Sequence, residues 1–109
     1  MIIYNKLVRD RIPEIIQELG EECLVEVLTE HDYLKELQKK GEEELKEYLA
    51  ASNSKEAIEE LADLLEVIYG LAQCHGFSIK ELETVRQSKK DKKGAFDKRL
   101  FLVEVHKKD

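Results

Sequence analysis

Four acids, Glu44, Glu47, Glu60 and Asp63, form two pairs of three-residue spacing across a twelve-residue gap. Helical residues three apart are neighbours, so each pair can aim two carboxylates at one object. At 100° per residue, with Leu37 at zero, Glu44 falls at about −20°, inside the stripe made by Leu34, Leu37, Gly41, Leu45 and Tyr48, where a leucine is expected. Glu47 stands on the stripe's edge, at about −80°. With Ala57 at zero, Leu61, Leu64, Leu65, Ile68, Leu71 and Ala72 spread between about −40° and 80°, with Val67 near −80°. Glu60 then falls at about −60°, inside that arc, and Asp63 at about −120°, just beyond it. Glu59 and Glu66 point away, as ordinary solvent-facing acids do.

A carboxylate taken out of water without a partner costs several kcal/mol or stays protonated. Four acids from two helices facing one groove would also repel one another. A divalent cation is the simplest relief, and oxygen donors with no clustered Cys or His favour Mg²⁺, with Mn²⁺ possible, over Zn²⁺. Two blander readings stand beside it. Glu44 and Glu60 are boundary residues paired with Lys or Arg at a subunit seam, or the acids are simply exposed.

The elements that would position these acids are readable from their caps. Thr29 opens a helix to about Ala51. Asn53 with Glu56 is a capping box for a second helix that ends near His75 and Gly76, and Ser78 with Glu81 opens a third through about Lys89. Linkers of a few residues make consecutive helices antiparallel neighbours, so the expected fold is an all-α antiparallel bundle in one domain, 1–109. Upstream, residues 2–8 read as a short strand or an arm. Pro13 suits the first turn of a short helix that Asp10 would cap and Gly20 would close after Leu19. Cys23–Leu28 (CLVEVL) and Phe101–His106 (FLVEVH) have strand character and are expected to pair as a small two-stranded ribbon. After Lys89, Gly94 permits a turn in a charge-dense tail expected to be mobile or ordered by ligand.

Composition narrows the class. The 109 residues are 42% apolar and 39% charged, with one Pro and five Gly, which excludes collagen and wholesale disorder. No apolar run approaches the roughly 18 residues that span a membrane, and no signal-peptide core opens the chain. Two isolated cysteines fit a reducing cytoplasm. The net charge of −6 argues against a nucleic-acid polymer as partner. That charge is segregated: residues 14–63 carry 16 acids against 5 bases, and residues 86–99 carry 7 bases against 2 acids.

The pattern EExxE at Glu43, Glu44 and Glu47, followed by ExxD at Glu60 and Asp63, resembles the signature of the MazG-like, all-α nucleoside triphosphate pyrophosphohydrolases. The block YNKLVRDRIPEII (Tyr4–Ile16) and the tail KKDKKGAFDKRLFL (Lys89–Leu102) resemble the subgroup of phosphoribosyl-ATP pyrophosphohydrolase-like proteins. The resemblance implies a MazG-like bundle, assembled as a homodimer or homotetramer, that hydrolyses a nucleoside triphosphate between the α and β phosphates. It also implies Glu44, Glu47, Glu60 and Asp63 as Mg²⁺ ligands, with Glu43 an adjacent steadying acid. Basic groups must then hold the phosphates. Lys6 and Arg9 in the arm, and Arg86, Lys89, Lys93 and Arg99 downstream, are the candidates, and Asn5 either reads a base edge or caps a turn. Tyr48, Tyr69 and Phe96 are core residues or base-stacking platforms. Cys74 reads as a buried hydrophobe, and His75 as a helix-end group. The tail has Gly94–Ala95 where two glycines are usual in the subgroup, which narrows the room beside a phosphate. A non-catalytic nucleotide- or metal-binding helical oligomer, acting as a sensor or interaction module, is the rival reading.

Overall fold

The computed structural model describes residues 1–108, and these carry four helices: α1 (Ile12–Glu18), α2 (Glu30–Leu49), α3 (Ser54–Cys74) and α4 (Ile79–Lys93). Each of the three longer helices starts where its cap chemistry requires. The Thr29 hydroxyl accepts the Asp32 N–H at 3.2 Å. The Asn53 side chain accepts the Glu56 N–H at 2.9 Å, while the Glu56 carboxylate accepts from Ser52, one residue ahead of the cap. Ser78 and Glu81 complete a reciprocal box at 3.0 and 3.2 Å. Such caps each contribute about 1 kcal/mol by satisfying orphan helix N–H groups.

Three sequence expectations need correction. The ribbon between 23–28 and 101–106 does not form: no strand is present among the described residues, and both segments are largely exposed and run without backbone pairing. Two short strands on their own are marginal in water, and neither segment has a third strand or a helix to lie on. At α1, Arg11 rather than Asp10 takes the cap position, without a side-chain hydrogen bond, although Pro13 does occupy the first turn. At the other end, α4 continues four residues beyond Lys89. Lys90, Lys92 and Lys93 sit in its last turn, where cations complement the helix dipole, and Gly94 at φ +83° ends it.

The centre of the molecule is the α2–α3 pair. Tyr33 and Leu37 meet Gly70, Gly41 meets Val67, and Glu44 meets Glu60, so positions rise on α2 as they fall on α3 and the two helices are antiparallel. Gly70 permits this closeness: a Cβ there would lie 3.1 Å from Leu37 Cδ1 and 3.5 Å from the Tyr33 hydroxyl. Helix α4 packs on α3. No helix is long and apolar enough to cross a membrane.

Helix α3 is rotated from the orientation its apolar arc suggests. Ile68, Leu61 and Leu65, which run from the arc's centre to one edge, are left exposed, while Val67 beyond the opposite edge is the buried residue. The flank carrying Glu60, Asp63 and Val67 is therefore the one turned to α2. Burial is correspondingly thin: Leu37 and Val67 are the only apolar side chains below a tenth exposed among the described residues. The Cα radius of gyration is 19.1 Å, against about 13 Å for a compact chain of this length.

With so little core, each buried apolar side chain carries weight. Leu37→Ala should lower unfolding free energy by about 2–5 kcal/mol, the usual cost of a core leucine. Chemical denaturation by circular dichroism checks this; a change below about 0.5 kcal/mol would mean that the α2–α3 seam is not the stabilising core.

Candidate metal centre

Glu44 sits in the C-terminal half of α2, on its inner face, and is 6% exposed, the one buried charged residue among those described. Glu47 follows one turn later at the rim, and Glu60 leans in from α3. Each offers a carboxylate oxygen, and these oxygens lie within 4.8 Å of one another. Asp63, one turn beyond Glu60, falls outside this triad. Its Oδ1 instead accepts a hydrogen bond from Arg9 Nη2 at 2.5 Å.

The electrostatics are those of a crowded, poorly solvated carboxylate group. Burial pushes the Glu44 carboxyl up to about 7, helped by hydrogen bonding to Glu47 and by the charges of Glu47 and Asp63, while Lys40 opposes the shift. Glu60 is raised first by its hydrogen bond with Glu47, then by desolvation and by the charges of Glu47 and Asp63. Lys40 lies one turn before Glu44. Its ammonium stands 3.8 Å from Glu44 Oε1 and 3.7 Å from Glu43 Oε2. Lys40 therefore answers, in part, the salt-bridge reading of these acids. The remaining oxygens, Glu44 Oε2 and Glu60 Oε2, are shielded from solvent and have no hydrogen-bond partner.

Two cations, Lys40 and Arg9, thus face four acids. The excess negative charge and the two orphaned oxygens converge on the space between α2 and α3. Leaving a buried acceptor unmet costs about 1–3 kcal/mol, and more when it is charged. An all-oxygen donor set with this deficit fits a hard divalent cation. The residues present therefore fit the group that the sequence pattern implies.

The other site candidates lie elsewhere. Arg86 is engaged on its own helix, with bonds of 2.5 and 2.9 Å to Glu83. Lys89 and Lys93 are exposed on α4, and Arg99 follows in the left-handed region at φ +55°. Asn5 is also left-handed, at φ +45°, and the Lys6 ammonium lies 5.6 Å from the Tyr4 ring centroid. Among the described residues, none of these groups forms a hydrogen bond or ion pair with the four acids. Tyr48 and Tyr69 are half-buried on α2 and α3, Phe96 is exposed, and Cys74 is a half-buried free thiol. His75 caps the end of α3. Lys40 is the site residue that sequence reading missed. Its signal was present: it stands four residues before Glu44 and so shares its face.

A carboxyl whose folded pKa is raised binds its proton more tightly in the folded chain than in the unfolded one. In the cation-free protein Glu44 should therefore support the fold fully below about 4.5, its unfolded value, and less as pH rises through about 7. Melting temperatures measured in EDTA should fall across that interval, and Glu44→Gln should flatten the decline. An unchanged slope in that variant would show that Glu44 is not desolvated.

The phosphoribosyl-ATP pyrophosphohydrolase family pattern matches residues 22–90, a span that holds all of α2 and α3 but neither the Arg9 arm nor the tail beyond Lys90. No match is found among curated proteins or solved structures. The family and the acidic triad together support hydrolysis of the general pyrophosphohydrolase type, on the all-α fold that the MazG-like resemblance led us to expect. With more than half of its length in the match, and the paired acids inside it, the chain belongs to the phosphoribosyl-ATP pyrophosphohydrolase family.

Proposed function

We propose that the protein hydrolyses a nucleoside triphosphate, or a related nucleotide, between the α and β phosphates, using Mg²⁺ or Mn²⁺. The observation carrying this reading is the pair of orphaned oxygens, on Glu44 and Glu60, inside an acid cluster on the helices that the family pattern covers. Glu44, Glu47 and Glu60 would hold the cation, with Asp63 as a fourth ligand. When bound, such a cation supplies charge neutralisation at the phosphates and a more acidic water.

The chain's own groups account for the remaining tasks. Hydrolysis adds water across the α–β bridge: one P–O bond forms, one breaks, and the water's proton must leave. Glu47 is exposed at the rim and is our choice to receive that proton, with Asp63 the alternative. Lys6 and Arg9 from the arm, and Arg86, Lys89, Lys93 and Arg99 from α4 and the tail, are proposed as phosphate contacts, with Asn5 as a base contact. The 7 bases against 2 acids in residues 86–99 support a polyanionic ligand. A turn follows α4, closed by the Arg99 N–H donating to the Phe96 carbonyl at 3.0 Å.

We also assign the protein to a homodimer or homotetramer in the cytoplasm. The exposed row Leu61, Leu65 and Ile68 on α3, next to a core of two buried apolar residues, supports this assembly. Light scattering should give a mass of at least twice 12.7 kDa. A monomer at micromolar concentration would contradict the assignment.

The activity is tested by pyrophosphate release from a panel of canonical and modified nucleoside triphosphates with Mg²⁺, beside an EDTA control. Loss of a single ligand costs more than the roughly 10–100-fold typical of groups that merely orient ligands, so Glu60→Gln should lower release by about 100-fold or more. A fully active Glu60→Gln protein would sink the assignment. Nucleotide binding without release would favour a binding module instead.

A further inference from the structure

The Arg9–Asp63 contact spans 54 positions in sequence. Every other ion pair among the described residues joins groups within four positions of each other. It therefore does something the others do not, because it ties the N-terminal arm to the side of the acidic groove. The arm has few other holds. Of residues 1–11 only Leu7 is partly covered, and the backbone enters the left-handed region at Asn5. Arg9 lies three residues before the first residue of α1, and its carbonyl accepts the Ile12 N–H at 3.1 Å.

Asp63 shares a flank of α3 with Glu60 one turn away, yet it is the member of the two acid pairs left out of the triad. The guanidinium occupies its carboxylate. Both partners are well exposed, with side chains 58% and 43% accessible, so the pair is solvent-screened and weak. An interaction of that size holds a carboxylate when nothing better is near and yields it to a divalent cation.

We propose that Arg9 is a placeholder for the cation: it neutralises Asp63 in the cation-free protein, and cation loading takes Asp63 and unlatches the arm. This rests on the reading of the acidic cluster as a cation site. Arg9 and the cation compete for one carboxylate, so site occupancy and arm docking are linked. The released guanidinium, at the groove's edge, is then free for an anionic ligand. The arm lies outside the residues 22–90 that the family pattern matches, so that match assigns Arg9 no role.

The test titrates the intact protein with Mn²⁺ alone, without nucleotide, by calorimetry at low ionic strength, and follows amide hydrogen exchange at residues 6–12. In the wild type, saturating Mn²⁺ should speed exchange in the arm. Arg9→Gln should bind Mn²⁺ about two- to fivefold more tightly, the factor that removing a competitor of this strength allows. Its arm should exchange fast with or without the metal. Asp63→Asn should bind more weakly, with an arm indifferent to Mn²⁺. Equal or weaker Mn²⁺ binding by Arg9→Gln, with arm exchange unmoved by the metal in the wild type, overturns the latch and leaves the cation site standing. Failure of every protein to bind Mn²⁺ overturns the cation site, and the latch with it.

Discussion

The structure turns on one unfavourable arrangement: the carboxylate of Glu44, removed from water in the α2–α3 seam and set among the acids of its own helix and of its neighbour. Burial of one charge beside others is a cost that a small domain can bear only if something offsets it. Lys40 offsets part, reaching one Glu44 oxygen from the preceding turn. Protonation offsets more, since the carboxyl is pushed up to about 7. What neither supplies is a partner for the shielded Oε2 atoms of Glu44 and Glu60. That unmet demand is what supports reading the seam as a cation site.

The helices are disposed to create the demand. Gly70 brings Leu37 and Tyr33 of α2 close to α3, and the packing turns α3 so that Glu60 and Val67 face inward. The same rotation leaves Leu61, Leu65 and Ile68 at the surface, all between 39% and 45% exposed. Helix α3 thus has two working sides, one for the acids and one apolar. The proposed assembly would cover the second, much as small domains often complete their burial against a partner subunit.

How far this was legible depends on the range of the interaction. The acid pairs were visible because helix phase is local: Glu44 falls where a leucine belongs, and the structure buries it. The helix starts were visible for the same reason, since Thr29, Asn53 and Ser78 bond to groups three residues away. The rotation of α3 was not, because its apolar arc spans more than one face and only packing against α2 chooses between them. Segments 23–28 and 101–106 carry strand-like residues, but β propensity expresses a fit to neighbouring strands, and neither segment finds any. Arg9 was expected to meet phosphate. Its contact with Asp63 crosses half the chain, and no periodicity encodes that.

The space bounded by Glu44, Glu47 and Glu60 is proposed as a divalent-cation site. The most direct measurement is anomalous scattering at the manganese edge from crystals grown with Mn²⁺. A peak is expected within coordination distance of an oxygen from each of these three residues. Mn²⁺ bound only elsewhere, with Glu44 held by Lys40 alone, would contradict it.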